Sequence, residues 1–200
     1  MSNNSYHHGD LKSELMKAAT VILRNEGIDS ITMRGLSSEL NVSRTAPYRH
    51  FKDKEELLCA IAKEGFRKFG AVMAKTWEQN IERPAAERFA EVGYSYIKFS
   101  SEYPEYYSLM FGNHSLLKHS NSQLKEEADS TFNFLKDMLS YCQDEGVFEV
   151  EDKVLQARFV WCALHGYCSI ITTNTNEIAA SMLDDSRLFL DKIICGLTKK

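Results

Sequence analysis

The sequence lacks the segments that secreted and membrane proteins need. Its first residues form no apolar stretch of the kind found in signal peptides. The most apolar run, Phe159 to Ile171, is interrupted by His165 and Gly166 and is shorter than the about 20 residues that a membrane-spanning helix requires. We therefore expect a cytoplasmic protein with no membrane partner.

Cysteine is scarce and shows no spacing typical of metal sites or disulfides. The five cysteines are odd in number and form no C-x-x-C pair. They lie within apolar helical patterns, which indicates reduced thiols in a core, and a redox sensor is the alternative. The cysteines are Cys59, Cys142, Cys162, Cys168 and Cys195.

Enzyme motifs are also missing. Di-iron sites in helical bundles need Glu-x-x-His pairs, and no glutamate here is followed three residues later by histidine. His114 and His119 are poorly spaced for one helical face, and neither G-x-S-x-G nor a P-loop occurs. We therefore expect no catalytic activity, no metal and no cofactor.

What the sequence does contain is helical periodicity. Apolar residues recur at spacings of three and four, and no strand pattern is visible. Residues Asp10 to Glu26 predict a first helix that ends at Gly27, and capping or proline signals at Asp53, Pro84 and Pro104 predict later helix starts. Three further helices are predicted over Ser120 to Asp144, Glu151 to Thr173 and Ile178 to Leu197. The fold class is all-α, with about nine helices.

Residues 31–51 predict two short helices joined by a tight turn. Thr32 can cap the first helix, and Asn41 in the turn tolerates the left-handed conformation that such a turn requires. Ser43 can cap the second helix, with Pro47 in its first turn and Phe51 facing inward. This arrangement is a helix-turn-helix, whose second helix enters the major groove of DNA.

Charge around the second helix supports that interpretation. The net charge is −4, but residues 1–60 balance eight basic against eight acidic side chains, and the excess of acidic residues follows them. Residues 44–54 contain Arg44, Arg49, Lys52 and Lys54 against Asp53. Such a local basic segment suits a protein that reads a DNA site. The alternative is an ordinary helical hairpin with solvated charges.

Several motifs show that the sequence resembles a known family. His7-His8-Gly9-Asp10-Leu11, Asn25-Glu26-Gly27, Ile31-Thr32-Met33-Arg34, Ala46-Pro47-Tyr48-Arg49-His50-Phe51 and Lys54-Glu55-Glu56-Leu57-Leu58 are similar in order and spacing to the DNA-binding domain of TetR-family bacterial regulators. Pro104 to Gly112 and Trp161 to Gly166 resemble the C-terminal domain of the branch called the WHG type. The resemblance implies a three-helix DNA-binding domain over residues 1–53, joined by a long helix to a ligand-binding and dimerisation bundle over residues 54–200.

The resemblance also implies roles for the exposed residues. Arg34, Arg44, Thr45 and Arg49 would contact base edges, where arginine pairs bidentately with guanine. Phosphates would be held by Thr32, Ser43, Tyr48, His50 and Lys54. Ala46 and Pro47 would contact thymine methyl groups or allow close approach.

The C-terminal part is rich in aromatic residues, fifteen of which lie between Phe89 and Tyr167. They predict either a plain core or an effector pocket for a small, partly apolar ligand. The candidate pocket residues are Trp77, Tyr96, Tyr103, Tyr107, Phe111, His114, Trp161 and His165.

The last two predicted helices are apolar on more than one face and therefore need two partners. They are either buried together inside one chain or, as the resemblance implies, paired with their copies in a homodimer. The candidate interface residues are Trp161, Leu164, Cys168, Phe189, Leu190, Ile193, Ile194 and Leu197. The function expected is a repressor that binds a palindromic operator as a homodimer and is released by a ligand. The alternatives are an activator of the same fold and a helical dimeric interaction protein without DNA binding.

Overall fold

The computed structural model of the chain describes residues 11–112, 122–173 and 177–198. Within these ranges the chain forms nine α-helices and no β-strand, which confirms the all-α prediction. The helices are α1 Leu11–Glu26, α2 Met33–Glu39, α3 Lys54–Gln79, α4 Ala85–Glu102, α5 Pro104–Gly112, α6 Ser122–Asp144, α7 Lys153–Thr173, α8 Glu177–Asp184 and α9 Ser186–Leu197.

Helices α1 and α2 form a small N-terminal unit with the segment that follows them. Its core contains Leu15, Ile31 and Leu36, which are fully buried, and Phe51, which is 1% exposed. The inward position predicted for Phe51 is therefore confirmed. This unit holds the predicted helix-turn-helix against α1.

Helix α3 begins with the capping signal that the sequence predicts. The Asp53 carboxylate accepts the Glu56 backbone N–H at 2.9 Å, and the Glu56 carboxylate accepts the Lys52 backbone N–H at 2.6 Å. Two backbone donors at the helix start are thereby satisfied. Because this reciprocal cap follows the helix-turn-helix directly, it fixes where the N-terminal unit passes into α3.

Helix α3 is 26 residues long and packs against α4, α5 and α6. It lies close to α5 at Gly65, where a side-chain carbon would lie 2.7 Å from the Met110 sulfur. The same helix therefore carries the N-terminal unit at one end and contributes to the core of the C-terminal bundle along the rest of its length.

One predicted helix proves to be two. The sequence predicts a continuous helix from Ile178 to Leu197, whereas α8 ends at Asp184 and α9 begins at Ser186. Asp185 has a non-helical ψ of 0° between them. Aspartate and serine both favour helix ends over helix interiors because their side chains compete for backbone hydrogen bonds. The Asp-Asp-Ser sequence was the missed signal.

Helix α7 is both long and apolar. Its most apolar window has a mean hydropathy of 1.2, so α7 is long and apolar enough to cross a membrane by length and composition. Of that window, 33% is buried against the rest of the chain. Helix α7 packs on α4, α6 and α8, and the side facing away from them exposes apolar residues.

Candidate functional site

The turn between the two parts of the helix-turn-helix closes α2 with a Schellman motif. The Val42 N–H donates to the Ser37 carbonyl at 3.0 Å, and the Asn41 N–H donates to the Ser38 carbonyl at 3.2 Å. Asn41 has a φ of 52°, the left-handed conformation that the sequence predicts for this turn. Asn41 thus redirects the chain from α2 towards the recognition segment, residues 43–51.

Helix α2 starts as predicted, with Thr32 as its N-cap. The Thr32 hydroxyl accepts the Gly35 backbone N–H at 3.0 Å. Gly35 is needed there because a side-chain carbon would lie 2.8 Å from that hydroxyl oxygen. Arg34 is exposed on the first turn of α2, so the cap also fixes the direction from which Arg34 emerges.

The recognition segment is not the two-turn α-helix that the sequence predicts. Residues 44–46 form a turn, and Pro47–Arg49 form a 3₁₀ helix. If Ser43 capped an α-helix, Pro47 would supply the first N–H of the i→i−4 ladder, and proline has none. The Ser43 carbonyl instead accepts the Ala46 N–H at 2.9 Å, which tightens the winding.

The predicted capping role of Ser43 is also wrong in this structure. Its hydroxyl lies 3.3 Å from the Thr45 hydroxyl, and the 3₁₀ helix has no side-chain cap. Both hydroxyls are exposed next to the turn. Ser43 and Thr45 therefore remain candidates for contact with DNA without a capping duty.

The tightened segment still presents the predicted polar face to solvent. Pro47 and Phe51 are buried, and Ala46 is half-buried, so the segment is anchored by its apolar residues. The exposed candidates are Thr32, Arg34, Ser43, Arg44, Thr45, Tyr48, Arg49 and His50. All of them lie on α2 and the recognition segment, which pack against each other.

Lys54 differs from the other candidates because it has a structural partner. Its ammonium group donates to the Ile28 carbonyl at 2.6 Å, and its side chain is half-buried. Ile28 begins the 3₁₀ turn Ile28–Ser30 that links α1 to α2. Lys54 therefore ties the start of α3 to this link.

The C-terminal bundle contains a partly open cavity of about 340 Å³. Its wall is built mostly from apolar and aromatic side chains of six helices. The main contributors are Phe66, Phe69 and Met73 from α3, Phe89, Val92 and Tyr96 from α4, Met110 and Phe111 from α5, Phe132, Phe134 and Leu135 from α6, Val160, Trp161 and Leu164 from α7, and Leu190, Ile193 and Ile194 from α9.

Three of the predicted pocket residues line this cavity: Tyr96, Phe111 and Trp161. Two others contact lining residues but do not line the cavity themselves. The Tyr107 hydroxyl is 2.9 Å from His165 Nδ1, and the His165 ring stacks on Trp161 at 5.6 Å. Tyr107 and His165 therefore support residues that line the cavity.

The remaining predicted pocket residues are placed elsewhere. Trp77 and Tyr103 do not line the cavity. Tyr103 packs on Phe99 and Tyr106. His114 lies outside the described residues.

Trp77 instead contacts a buried arginine that sequence reasoning missed. The Arg88 guanidinium lies 3.6 Å from the centre of the Trp77 ring, and its Nε donates to the Trp77 carbonyl at 2.8 Å. Arg88 is 5% exposed, and Tyr141 covers it at 5.3 Å. A desolvated cation between aromatic rings is held by the ring quadrupoles. This contact fixes the C-terminal end of α3 to α4 and α6.

Most of the candidate interface residues face the inside of the chain. Leu164, Cys168, Leu190, Ile193 and Leu197 are 5% exposed or less. Phe189 stacks on Tyr167 within the chain at 4.0 Å, and Ile194 lines the cavity. Trp161 is the most exposed of the eight candidates, at 37%. These apolar positions are needed for the core, so they are not available as the centre of an interface.

A different stripe of α7 is exposed. Leu155 is 60% exposed, Phe159 50% and Ile170 46%, and all three recur at helical spacing with Cys162 and Gly166 between them. A side chain at Gly166 would meet open space, and Gly196 of α9 lies beside the Phe159 ring. The sequence could not distinguish this stripe from the buried one because both are apolar.

Two family profiles match the chain. Residues 15–61 match the family described as bacterial regulatory proteins, tetR family, and residues 89–189 match the one described as Tetracyclin repressor-like, C-terminal domain. The chain therefore belongs to the TetR family, whose members are transcriptional regulators with a DNA-binding helix-turn-helix and no enzymatic activity.

Individual relatives agree with this assignment. The HTH-type transcriptional regulator YobS of Bacillus subtilis (strain 168), described as uncharacterized, is 21% identical over 183 residues, which are 92% of this chain and 90% of that protein. An uncharacterized HTH-type transcriptional regulator of Haemophilus influenzae is 28% identical over 95 residues, so the match spans 48% of this chain and half of that relative's length. The solved structure of a protein of unknown function from Rhodococcus sp. RHA1 has a TM-score of 0.81 at 28% identity, covering 98% of this chain and 100% of that one.

Proposed function

We propose that this TetR-family regulator is a cytoplasmic repressor that binds a palindromic operator as a homodimer and is released by a small, partly apolar ligand. The observation that carries the proposal is the position of α3. Its first turn is capped directly after the helix-turn-helix, and its later residues Phe66, Phe69 and Met73 form part of the cavity wall. One rigid element thus links the DNA-binding unit to the cavity.

The exposed polar face of α2 and the recognition segment supports the DNA contact. Arg34, Arg44 and Arg49 are free to reach base edges, where each good bidentate pair with guanine contributes about 1–3 kcal/mol of discrimination. Thr45 is also proposed to contact base edges. Thr32, Ser43, Tyr48, His50 and Lys54 are the proposed phosphate contacts, and half-buried Ala46 allows close approach.

The exposed stripe of α7 supports a second copy of the chain as the partner. The stripe contains Leu155, Phe159, Cys162, Gly166 and Ile170 and carries no charge. A contiguous apolar surface of this kind marks an interaction site, and Gly166 leaves room for the backbone of an approaching helix. Pairing through α7 and α9 would bury the exposed apolar side of α7. No membrane is needed to cover that side.

This interface can be tested by changing one residue of the stripe. We expect Phe159→Glu to convert the dimer to a monomer in analytical ultracentrifugation, because it places a charge at the centre of an apolar contact. Val150→Glu is the matched control, because Val150 is 70% exposed but precedes α7. A dimer that survives Phe159→Glu would place the interface elsewhere.

The cavity supports release by a ligand. Because Phe66, Phe69 and Met73 belong to α3, a ligand that displaces them changes the direction of the helix that carries the DNA-binding unit. A ligand that prefers the released state by about 100-fold supplies about 2.7 kcal/mol of coupling. Two recognition segments must lie roughly 34 Å apart to enter successive major grooves, so a small rotation is sufficient to release DNA.

An operator selection tests the proposal. The full chain is incubated with a pool of random duplexes, and the bound sequences are recovered at increasing salt. We expect an inverted repeat with half-sites about one helical turn apart and affinity that falls steeply with salt. Binding without sequence preference would contradict the proposal. Loss of transcription from a reporter carrying the operator indicates a repressor, and a gain indicates an activator.

A further inference from the structure

The polar groups on the cavity wall are few. Of the described residues that line it, those with a polar side-chain atom are Tyr96, Asp129, Thr131, Arg158 and Trp161. Asp129, Arg158 and Trp161 are exposed, and Thr131 is half-buried, whereas Tyr96 is only 7% exposed. A ligand that fills the interior of the cavity therefore meets a single buried polar side chain on the described wall.

The hydroxyl of Tyr96 has a weak partner in the protein. It lies 3.4 Å from the Tyr107 hydroxyl, whereas a good O–H···O bond is roughly 2.5–3.0 Å long. The Tyr107 hydroxyl has a closer partner in His165 Nδ1 at 2.9 Å. Burial raises the pKa of Tyr96, so its phenol keeps its proton. Tyr96 is thus a neutral donor that gains from a better acceptor.

We propose that the Tyr96 hydroxyl donates a hydrogen bond to a neutral oxygen of the ligand, so that the cavity selects small apolar molecules carrying one carbonyl or hydroxyl group. The assignment rests on the proposed function, since it requires the cavity to take up a ligand. It adds the chemical class of that ligand and the residue that recognises it.

The shape of the wall indicates the rest of the molecule. Aromatic rings line the cavity from several sides, including Phe69 and Phe111 next to Tyr96 and Phe132 next to Trp161. Their faces and edges pack well against a flat ring system. A volume of about 340 Å³ lies at the lower end of the usual range for ligand sites, roughly 300–1,000 Å³, which suits one or two fused rings.

An anionic group does not fit the interior. No buried lysine or arginine lies among the described lining residues, and an unpaired carboxylate would lose its hydration there. Arg158 is exposed, and the exposed Asp129 opposes its charge at the same cavity. The cavity therefore favours a neutral ligand.

Three probes with the same number of non-hydrogen atoms separate these possibilities. They are 2-acetylnaphthalene, which offers a neutral carbonyl, 2-isopropenylnaphthalene, which replaces that oxygen by carbon, and 2-naphthoate, which carries a negative charge. Their affinities for the full chain are measured by isothermal titration calorimetry. The carbonyl probe should bind best and 2-naphthoate worst.

Two phenylalanine variants show whether Tyr96 is responsible. Tyr96→Phe removes the hydroxyl and keeps the ring, whereas Tyr94→Phe makes the same change two residues earlier on α4, away from the cavity wall. In the wild type and in Tyr94→Phe, the carbonyl probe should bind roughly three- to tenfold more tightly than its hydrocarbon analogue. In Tyr96→Phe the two affinities should be equal.

The outcomes distinguish this inference from the proposed function. Equal affinities for both neutral probes in the wild type would overturn the role of Tyr96 but leave the cavity as a ligand site. Tightest binding of 2-naphthoate, lost in Arg158→Gln, would overturn the neutral class. If no probe binds, both the inference and the ligand step of the proposed function fail, while operator selection still tests DNA binding separately.

Discussion

Arg24 of α1 and Glu105 of α5 form an ion pair between the N-terminal unit and the C-terminal bundle. Arg24 Nε lies 2.9 Å from Glu105 Oε2, and Arg24 Nη2 donates to the Glu102 carbonyl at 3.0 Å. The Glu105 side chain is 4% exposed, whereas that of Arg24 is 52% exposed. Helix α5 also contributes Met110 and Phe111 to the cavity wall, so it contacts both the N-terminal unit and the cavity.

We predict that this pair contributes more to stability than a surface ion pair does. Removing Arg24 leaves the buried Glu105 carboxylate with an unmet hydrogen bond, at a cost of about 1–3 kcal/mol, whereas the half-exposed Arg24 can bond to water when Glu105 is replaced. In a double-mutant cycle of Arg24→Ala and Glu105→Gln, urea unfolding should show a coupling of about 1–2 kcal/mol.

The exposed pair Glu14 and Lys17 on the same helix is the control for this cycle. Both side chains are more than half exposed, and the coupling expected for such a pair is below roughly 0.5 kcal/mol. Equal coupling energies for the two pairs would show that the ion pair between α1 and α5 is no stronger than a solvent-exposed ion pair.

We predict different effects for two basic residues of the DNA-binding unit. Arg44→Ala should lower operator affinity and relax sequence preference without changing stability, because Arg44 is exposed. Lys54→Ala should weaken binding to all sequences, flatten the salt dependence and lower the melting temperature, because it also removes the bond to the Ile28 carbonyl. Fluorescence anisotropy on operator and random duplexes gives both affinities.

The prediction is contradicted if each variant loses affinity for operator and for random DNA by the same factor. Arg67→Ala is a suitable control, since Arg67 is an exposed arginine of α3 whose partner is Glu127 of the C-terminal bundle. It should leave both affinities unchanged.

Asn41 gives a test of the turn. We expect Asn41→Gly to leave stability unchanged or raise it slightly, because glycine adopts the left-handed conformation more readily than asparagine. Asn41→Val should destabilise the chain by more than about 1 kcal/mol, since a β-branched side chain is strained at a φ of 52°. Denaturant unfolding of the two variants measures the difference, and equal stabilities would contradict the Schellman closure.

Local signals in the sequence predicted local structure well. The caps formed by Thr32 and Asp53 and the turn at Asn41 require only neighbouring residues, and all three are present. The error at Pro47 was also local, because its position four residues after Ser43 removes the first α-helical hydrogen bond. Counting from the presumed cap would have predicted the 3₁₀ winding.

Tertiary features were predictable only in part. Tyr96, Phe111 and Trp161 line the cavity, but Phe66 and Phe69 of α3, which also line it, were not among the predicted pocket residues. A buried aromatic ring either packs against another side chain or lines a cavity, depending on how far apart the helices lie. That distance cannot be read from a single sequence. The same limit applies to the apolar faces of α7 and α9.

Stability should fall at alkaline pH. Burial raises the pKa of Cys142 and of Cys168 to about 12, well above the usual value for a thiol. Between about pH 9 and 12 the unfolded chain loses these protons while the folded chain keeps them, so each thiol lowers the free energy of unfolding by up to about 1.4 kcal/mol per pH unit. Below that range both states are protonated and the contribution is constant.

Cys142→Ser tests this pH dependence, because serine can keep the polar contact with the Ala85 carbonyl but does not titrate in this range. The loss of stability between about pH 9 and 11, measured by urea unfolding, should be smaller in the variant than in the wild type. An identical loss in both would mean that the folded thiol titrates normally.

If the cavity controls the affinity of the helix-turn-helix for DNA, as we propose, filling the cavity should weaken operator binding. The most direct measurement is the affinity of Ala128→Phe for the selected operator, because Ala128 lines the cavity and a ring there occupies the space of a ligand. We predict binding at least about fivefold weaker than in the wild type, the lower end of typical allosteric coupling, with folding and dimerisation intact. Unchanged operator affinity in a variant whose structure shows the cavity filled would contradict the account.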